Sequence, residues 1–108
     1  MLKILAPLIL LLGPIQPAAA ATFDVTTERA GRDGAFMRIN FGVKSNADRL
    51  AHSIFVDCTA FDSSQAPVNT GTGVIKNIQP GEKAFGTVNM RFETDMKSAS
   101  CRFSHASY

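Results

Sequence analysis

Between Phe23 and Ala106 apolar and polar residues alternate at a period of two, and Gly, Pro, Asn or Asp interrupts the alternation at short intervals. Successive side chains of a strand point to opposite faces, so this pattern calls for half-buried strands and leaves no segment with a sustained helical period. The expected strands are about Phe23–Glu28, Ala35–Lys44, Ala51–Asp62, Pro67–Ile78, Lys83–Phe92 and Ala99–Ala106. Each break has a turn chemistry. Asp33-Gly34 is a hairpin signal because Gly tolerates positive φ. Ser45–Asp48 and Ser63–Ala66 are polar turns, and Thr94–Lys97 closes the last connection. Pro80 and Gly81 occupy the two central positions of a type II turn. Strands and turns at this spacing build a small sandwich or barrel.

Alternation also assigns faces. Met37, Ile39, Phe41 and Val43 share one side of the second strand, and Ile54, Val56, Cys58 and Ala60 share one side of the third. Ala84, Val88, Met90 and Phe92 do so in the fifth, and Ala99, Cys101 and Phe103 in the sixth. Together these sets define one core. Both cysteines belong to it.

The first residues read as a targeting segment. Lys3 precedes an apolar run from Ile4 to Leu12, Gly13 and Pro14 break that run, and Ala18 to Ala21 offer an Ala-x-Ala cleavage site. These are the three regions of a signal peptide. A bilayer-spanning helix needs roughly 20 apolar residues, about twice this run. No Cys follows the apolar run to carry a lipid. The expected organisation is therefore a signal peptide over residues 1–21 and one β-domain over residues 22–108. The formal net charge is +2, and Lys3 belongs to the leader, so the mature domain is close to neutral with charges of mixed sign. No basic stripe of a nucleic-acid binder is present.

Both cysteines lie in the mature part, and an even count in an exported chain argues for a bridge. A loop of about 44 residues would contribute roughly 4 kcal/mol through unfolded-state entropy if unstrained. The competing use, metal ligation, lacks a nearby His or a second Cys pair at zinc spacing.

The segment from Asn46 to Phe85 resembles the FxLYD domain, a small bacterial Ig-like β-sandwich of exported proteins. The resemblance rests on Ser45-Asn46, Leu50, the strand end Cys58-Thr-Ala-Phe-Asp62, Pro67-Val68, and Ile78-Gln-Pro-Gly-Glu82-Lys-Ala-Phe85. Cys58 stands at the motif Phe, Ala60 at Leu and Phe61 at Tyr, while Asp62 is identical. The resemblance implies an Ig-like antiparallel sandwich of about six to seven strands and a binding or structural role. It brings no catalytic residues. A Cys at the motif Phe position is accounted for if Cys101 meets it.

No residue set supports catalysis, a cofactor or a metal. His52 and His105 with Met90 and Met96 have the ligand types of a copper carrier, but no tight His-x-Met or Met-x-Met cluster. Asp57 with Asp62, or Glu93 with Asp95, would need a pocket to act as acid and base. Ser63-Ser64 and Ser104-His105 form no nucleophile elbow. Thr70-Gly-Thr-Gly73 lacks the following helix of a phosphate cradle and reads as a flattened or bulged strand.

The remaining feature is an apolar excess on the outward parity. Phe36, Phe55 and Phe85 lie there with Arg38 and Arg91. Aromatic and Arg side chains are the usual anchors of protein interfaces. If their strands are neighbours, the rings form one patch. If not, they are separately exposed, or turned inward at a bulge. The expected function is an exported, non-enzymatic binding or structural module, periplasmic or secreted, with a protein partner in the cell envelope and no membrane span once the signal is removed. It would act through a sheet face or an edge strand. A proteinaceous inhibitor of an exported hydrolase such as lysozyme is the second reading, and a periplasmic copper carrier the third. Mass spectrometry of the exported protein is expected to find its N-terminus at Ala21 or Thr22. Retention of Met1 would contradict the leader.

Overall fold

A computed structural model describes residues 21–108. The signal-peptide reading rests on residues that lie outside this range. The described chain forms six strands: β1 (Phe23–Asp33), β2 (Phe36–Ser45), β3 (Ala51–Phe61), β4 (Pro67–Ile78), β5 (Lys83–Arg91) and β6 (Ser98–Ser107). They build two three-stranded sheets, ordered β1-β2-β5 and β4-β3-β6, with every pair antiparallel. The β3–β4 hairpin leaves for the second sheet, β5 returns to pair with β2, and β6 crosses again to β3. These crossings are those of an Ig-like sandwich. β1 lies against β6 and β4 against β5, so the central strands β2 and β3 face one another.

The alternation is obeyed on both central strands. Ile39, Phe41, Val43, Ile54, Val56, Cys58 and Ala60 are fully buried, with Met37, Val88 and Met90 nearly so. Phe41 is the largest of the fully buried side chains. Its ring sits where two glycines leave room. A Cβ on Gly73 of β4 would lie 2.7 Å from Phe41 Cε2, and one on Gly86 of β5 would lie 2.6 Å from Cζ. The glycine-rich stretch of β4 is therefore a regular strand that lacks side chains where the opposite sheet presses in. Gly71 serves Val88 in the same way, at 2.7 Å.

β1 runs farther than the expected end at Glu28. A bulge between Thr27 and Arg29 lets Arg29–Asp33 continue pairing with β2. The hairpin then turns through Gly34-Ala35, with Gly34 at φ 63° in the first central position, a place that favours glycine. The Gln79–Glu82 turn closes as expected: Glu82 N–H donates to Gln79 O at 3.1 Å, with Gly81 at φ 80°. Asp62 shapes the β3–β4 turn by accepting from the Ser64 and Ala66 amides at 2.8 and 2.9 Å. Ser45 is buried and satisfied. Its amide donates to Glu82 O at 2.9 Å, and its carbonyl accepts from Gly81 N at 3.0 Å.

Cys58 and Cys101 are bonded, and their Cα atoms lie 4.0 Å apart. They are direct cross-strand partners, so the bridge fastens edge strand β6 to β3 within one sheet. The Cys101 amide donates to Thr27 Oγ1 on β1 at 2.8 Å, which ties the edges of the two sheets together. Phe103 departs from its expected core position. It has the inward parity but is 40% exposed, because β6 is an edge strand. Its ring stacks on buried Phe23 at 5.4 Å. The next residue, Ser104, is the extra one at a bulge that opposes Phe55 to His105 and Val56 to Phe103.

Three substitutions test this packing and the bridge. Gly73→Ala is expected to cost about 1–3 kcal/mol by overpacking Phe41, measured by chemical denaturation. Gly31→Ala, with open space around its Cβ, should be nearly neutral. Cys58→Ser is expected to cost roughly 2–5 kcal/mol. A denaturation midpoint unchanged by reductant would contradict that role.

Candidate binding surface

The outer face of β1-β2-β5 follows from the register. Asp33, Phe36 and Arg91 form one row, and Gly31, Arg38 and Asn89 the next. Arg29, Asn40 and Thr87 come third, and Gly42 with Phe85 fourth. Phe36 and Phe85 are 50% and 66% exposed. Their rows are separated by six residues of strand, which is about 20 Å at 3.3–3.4 Å per residue. Phe36, Arg38 and Arg91 therefore form one cluster, with Phe85 at the far end of the same face.

Phe55 does not join them. β3 belongs to the other sheet, so the outward side of Phe55 faces the opposite surface of the domain. There it lies half-buried between Val74 and His105, stacked on the imidazole at a centroid distance of 4.3 Å. The expectation of a single patch joining Phe36, Phe55 and Phe85 is thus corrected. Strands adjacent in sequence, β2 and β3, are split between the sheets, and equal parity then means opposite surfaces.

Around Phe36 the chain from Glu28 to Phe36 is exposed without a break. Edge strand β1 and its hairpin turn lie here. Asp33 accepts from Arg38 Nη2 at 2.7 Å, and the Arg32 guanidinium lies 4.2 Å from the centre of the Phe92 ring. Arg32 also donates from Nε to Gly34 O at 2.9 Å, bracing the turn.

At the Phe85 end, a shallow depression of about 540 Å³ is lined by Glu28, Arg29, Asn40, Phe85, Gly86 and Thr87. Gly42 leaves room for the groups that cross it. A Cβ there would stand 2.8 Å from Glu28 Oε2 and 3.3 Å from Phe85 Cε1. Glu28 pairs with Lys83 across this gap at 3.4 Å, and Lys83 Nζ lies 5.3 Å from the Phe85 ring centre. Thr87 donates from Oγ1 to Asn40 Oδ1 at 3.0 Å. Asn40 had the outward parity of Phe36 and Arg38, so its place was readable. Glu28 and Lys83 were not, because the β1 bulge and the β2–β5 pairing bring them together.

The other candidate groups are not assembled into sites. Met90 and Met96 are buried, whereas His52 and His105 are exposed, so the copper arrangement does not form. Among the described residues no three His, Cys, Asp or Glu side chains cluster as metal ligands. Asp57 accepts from Thr72 Oγ1 at 2.9 Å on the outer face of β3. Asp95 accepts from Ser63 Oγ at 2.8 Å. Hydrogen bonds from the Ser63 hydroxyl and amide, aided by Lys97, hold the Asp95 carboxyl below its usual range. This contact ties the β3–β4 turn to the β5–β6 loop.

No family model matches the chain, and no curated protein matches its sequence. Two solved structures share its fold. One is a DUF1425 family member from Shewanella sp. pv-4, with a TM-score of 0.60 and 11% identity, covering 87% of this chain and 88% of that one. The other is IrmA from Escherichia coli, with a TM-score of 0.57 and 6% identity, covering 79% of this chain and 81% of that one. At these identities the likeness is one of fold. It supports the small β-sandwich that the FxLYD resemblance implied, and neither neighbour carries the FxLYD name.

Proposed function

We propose that this chain is an exported, non-enzymatic binding module that engages a protein partner in the cell envelope through its β1–β2 hairpin. The unbroken exposure of Glu28 to Phe36 supports this reading above all. β1 is paired on one side only, so the backbone of Arg29–Asp33 has an edge to offer an added strand. Phe36 is the aromatic anchor beside that edge, and Arg38 and Arg91 flank it, the composition that interface hot spots use. The disulfide is compatible with an oxidising compartment, and the fold is shared with two small sandwich proteins. Among the described residues the turns offer the inhibitor reading less support. The hairpin turn is Gly34-Ala35, and the Ser63 hydroxyl is held by Asp95.

Capture from periplasmic extract tests the proposal. The wild-type domain is expected to retain a protein that Phe36→Ala loses or binds more than about fivefold more weakly. Phe55→Ala, on the opposite sheet, should keep it. Retention of the same protein by Phe36→Ala would overturn the hairpin assignment.

A further inference from the structure

The depression at the far end of the same sheet has a different chemistry from the hairpin. Its floor is β2, a central strand whose backbone is paired to β1 on one side and β5 on the other. The backbone of this floor is paired on both sides, so a ligand seated on it is read by side chains. Those side chains combine an aromatic face with hydrogen-bonding groups of both kinds. Phe85 supplies the face, exposed over two-thirds of its area. Asn40 has its oxygen engaged by Thr87, which leaves its amide nitrogen to donate outward. The Glu28 carboxylate can accept at the oxygen that Lys83 does not hold. Arg29 donates through a guanidinium that has no carboxylate partner among the described residues.

A pyranose ring matches this set. It offers one C–H-rich face to stack on an aromatic ring and a rim of hydroxyls that each donate and accept. The shape agrees, since the depression is open and shallow, and one unit of a longer chain can lie in it while its neighbours run over the sheet. Other ligand classes fit less well. A phosphate has no C–H face to lie against Phe85, and a lipid chain would find no apolar depth. Charge narrows the class further. Glu28 and Lys83 neutralise each other, whereas Arg29 stays unpaired, so the site carries one surplus cation suited to a sugar carboxylate. The geometry points to a saccharide subsite between Phe85 and Arg29 that takes a uronic-acid unit of an acidic polysaccharide. This goes beyond partner capture at Phe36: the Phe85 ring stands about 20 Å from Phe36 along the strands, and Glu28 and Arg29 border both sites.

The test is titration of the folded domain with a short oligogalacturonate and with a neutral cello-oligosaccharide of equal length, followed by calorimetry and amide NMR. The acidic oligomer is expected to bind and to shift the amides of Gly42, Phe85 and Gly86. Phe85→Ala and Arg29→Gln should each weaken it at least about fivefold, the loss expected of an anchor residue. In Gly42→Ala the three heavy atoms nearest the new Cβ all belong to side chains, those of Glu28, Lys83 and Phe85. That variant should keep its fold and lose binding because the gap is filled. Phe36→Ala should bind the oligomer like wild type, so failure here and failure of partner capture are told apart. Absence of binding by the acidic oligomer, or binding indifferent to Phe85→Ala, would overturn the subsite. Equal affinity for the neutral oligomer would overturn its acidic specificity.

Discussion

The two sheets close on one ring. Phe41 is fully buried at the centre of β2, and Gly73 and Gly86 leave the space it fills. Each missing Cβ matters because packed interiors have no slack, and a methyl at 2.6–2.7 Å from a ring carbon would have to separate the strands. Glycine weakens a strand interior, yet here it allows the edge strands β4 and β5 to approach a large core residue. Val88 depends on the same approach, since a Cβ on Gly71 or Gly73 would stand 2.7 or 2.9 Å from it.

A sandwich of six strands has four edges, and they are treated differently. The β1 and β6 edges meet through Thr27 and Cys101, through the Phe23–Phe103 stack, and through Phe23 beside Tyr108, whose ring lies under Arg49. The disulfide then holds β6 to β3. A domain of this size buries a modest core, so a covalent hold secures its last strand at the edge of the second sheet. The far half of β1 is left uncovered, and the bulge at Glu28 is what carries it past the core.

The outer face of β1-β2-β5 has two ends of unlike character. At one, an aromatic ring sits beside an unclosed strand edge. At the other, a ring sits over a paired central strand among amide, carboxylate and guanidinium groups. At the first end the ring stands beside the unpaired edge of β1, and at the second it stands beside the paired backbone of β2 among hydrogen-bonding side chains, which is why a protein is assigned to one and a saccharide to the other.

Period-two alternation was enough to identify the strands, their inward sets and the cysteine pair, because side-chain direction in a strand is a local property of the backbone. Turn chemistry at Gly34 and at Pro80-Gly81 was legible for the same reason, since a positive φ is a demand made by a single residue. Local rules could not say which strands share a sheet. That depends on which faces bury each other, and it placed Phe55 on the far surface from Phe36 and Phe85 despite their common parity. Nor could they show that Gly73 and Gly86 serve Phe41, or that Glu28 reaches Lys83 over Gly42. Those contacts join residues from strands distant in sequence. The sequence by itself determined an all-β domain, its core-facing residues and its one covalent bridge. Only the tertiary structure decided which outward residues become neighbours, because that follows from strand order and from a one-residue bulge, neither of which leaves a periodic trace.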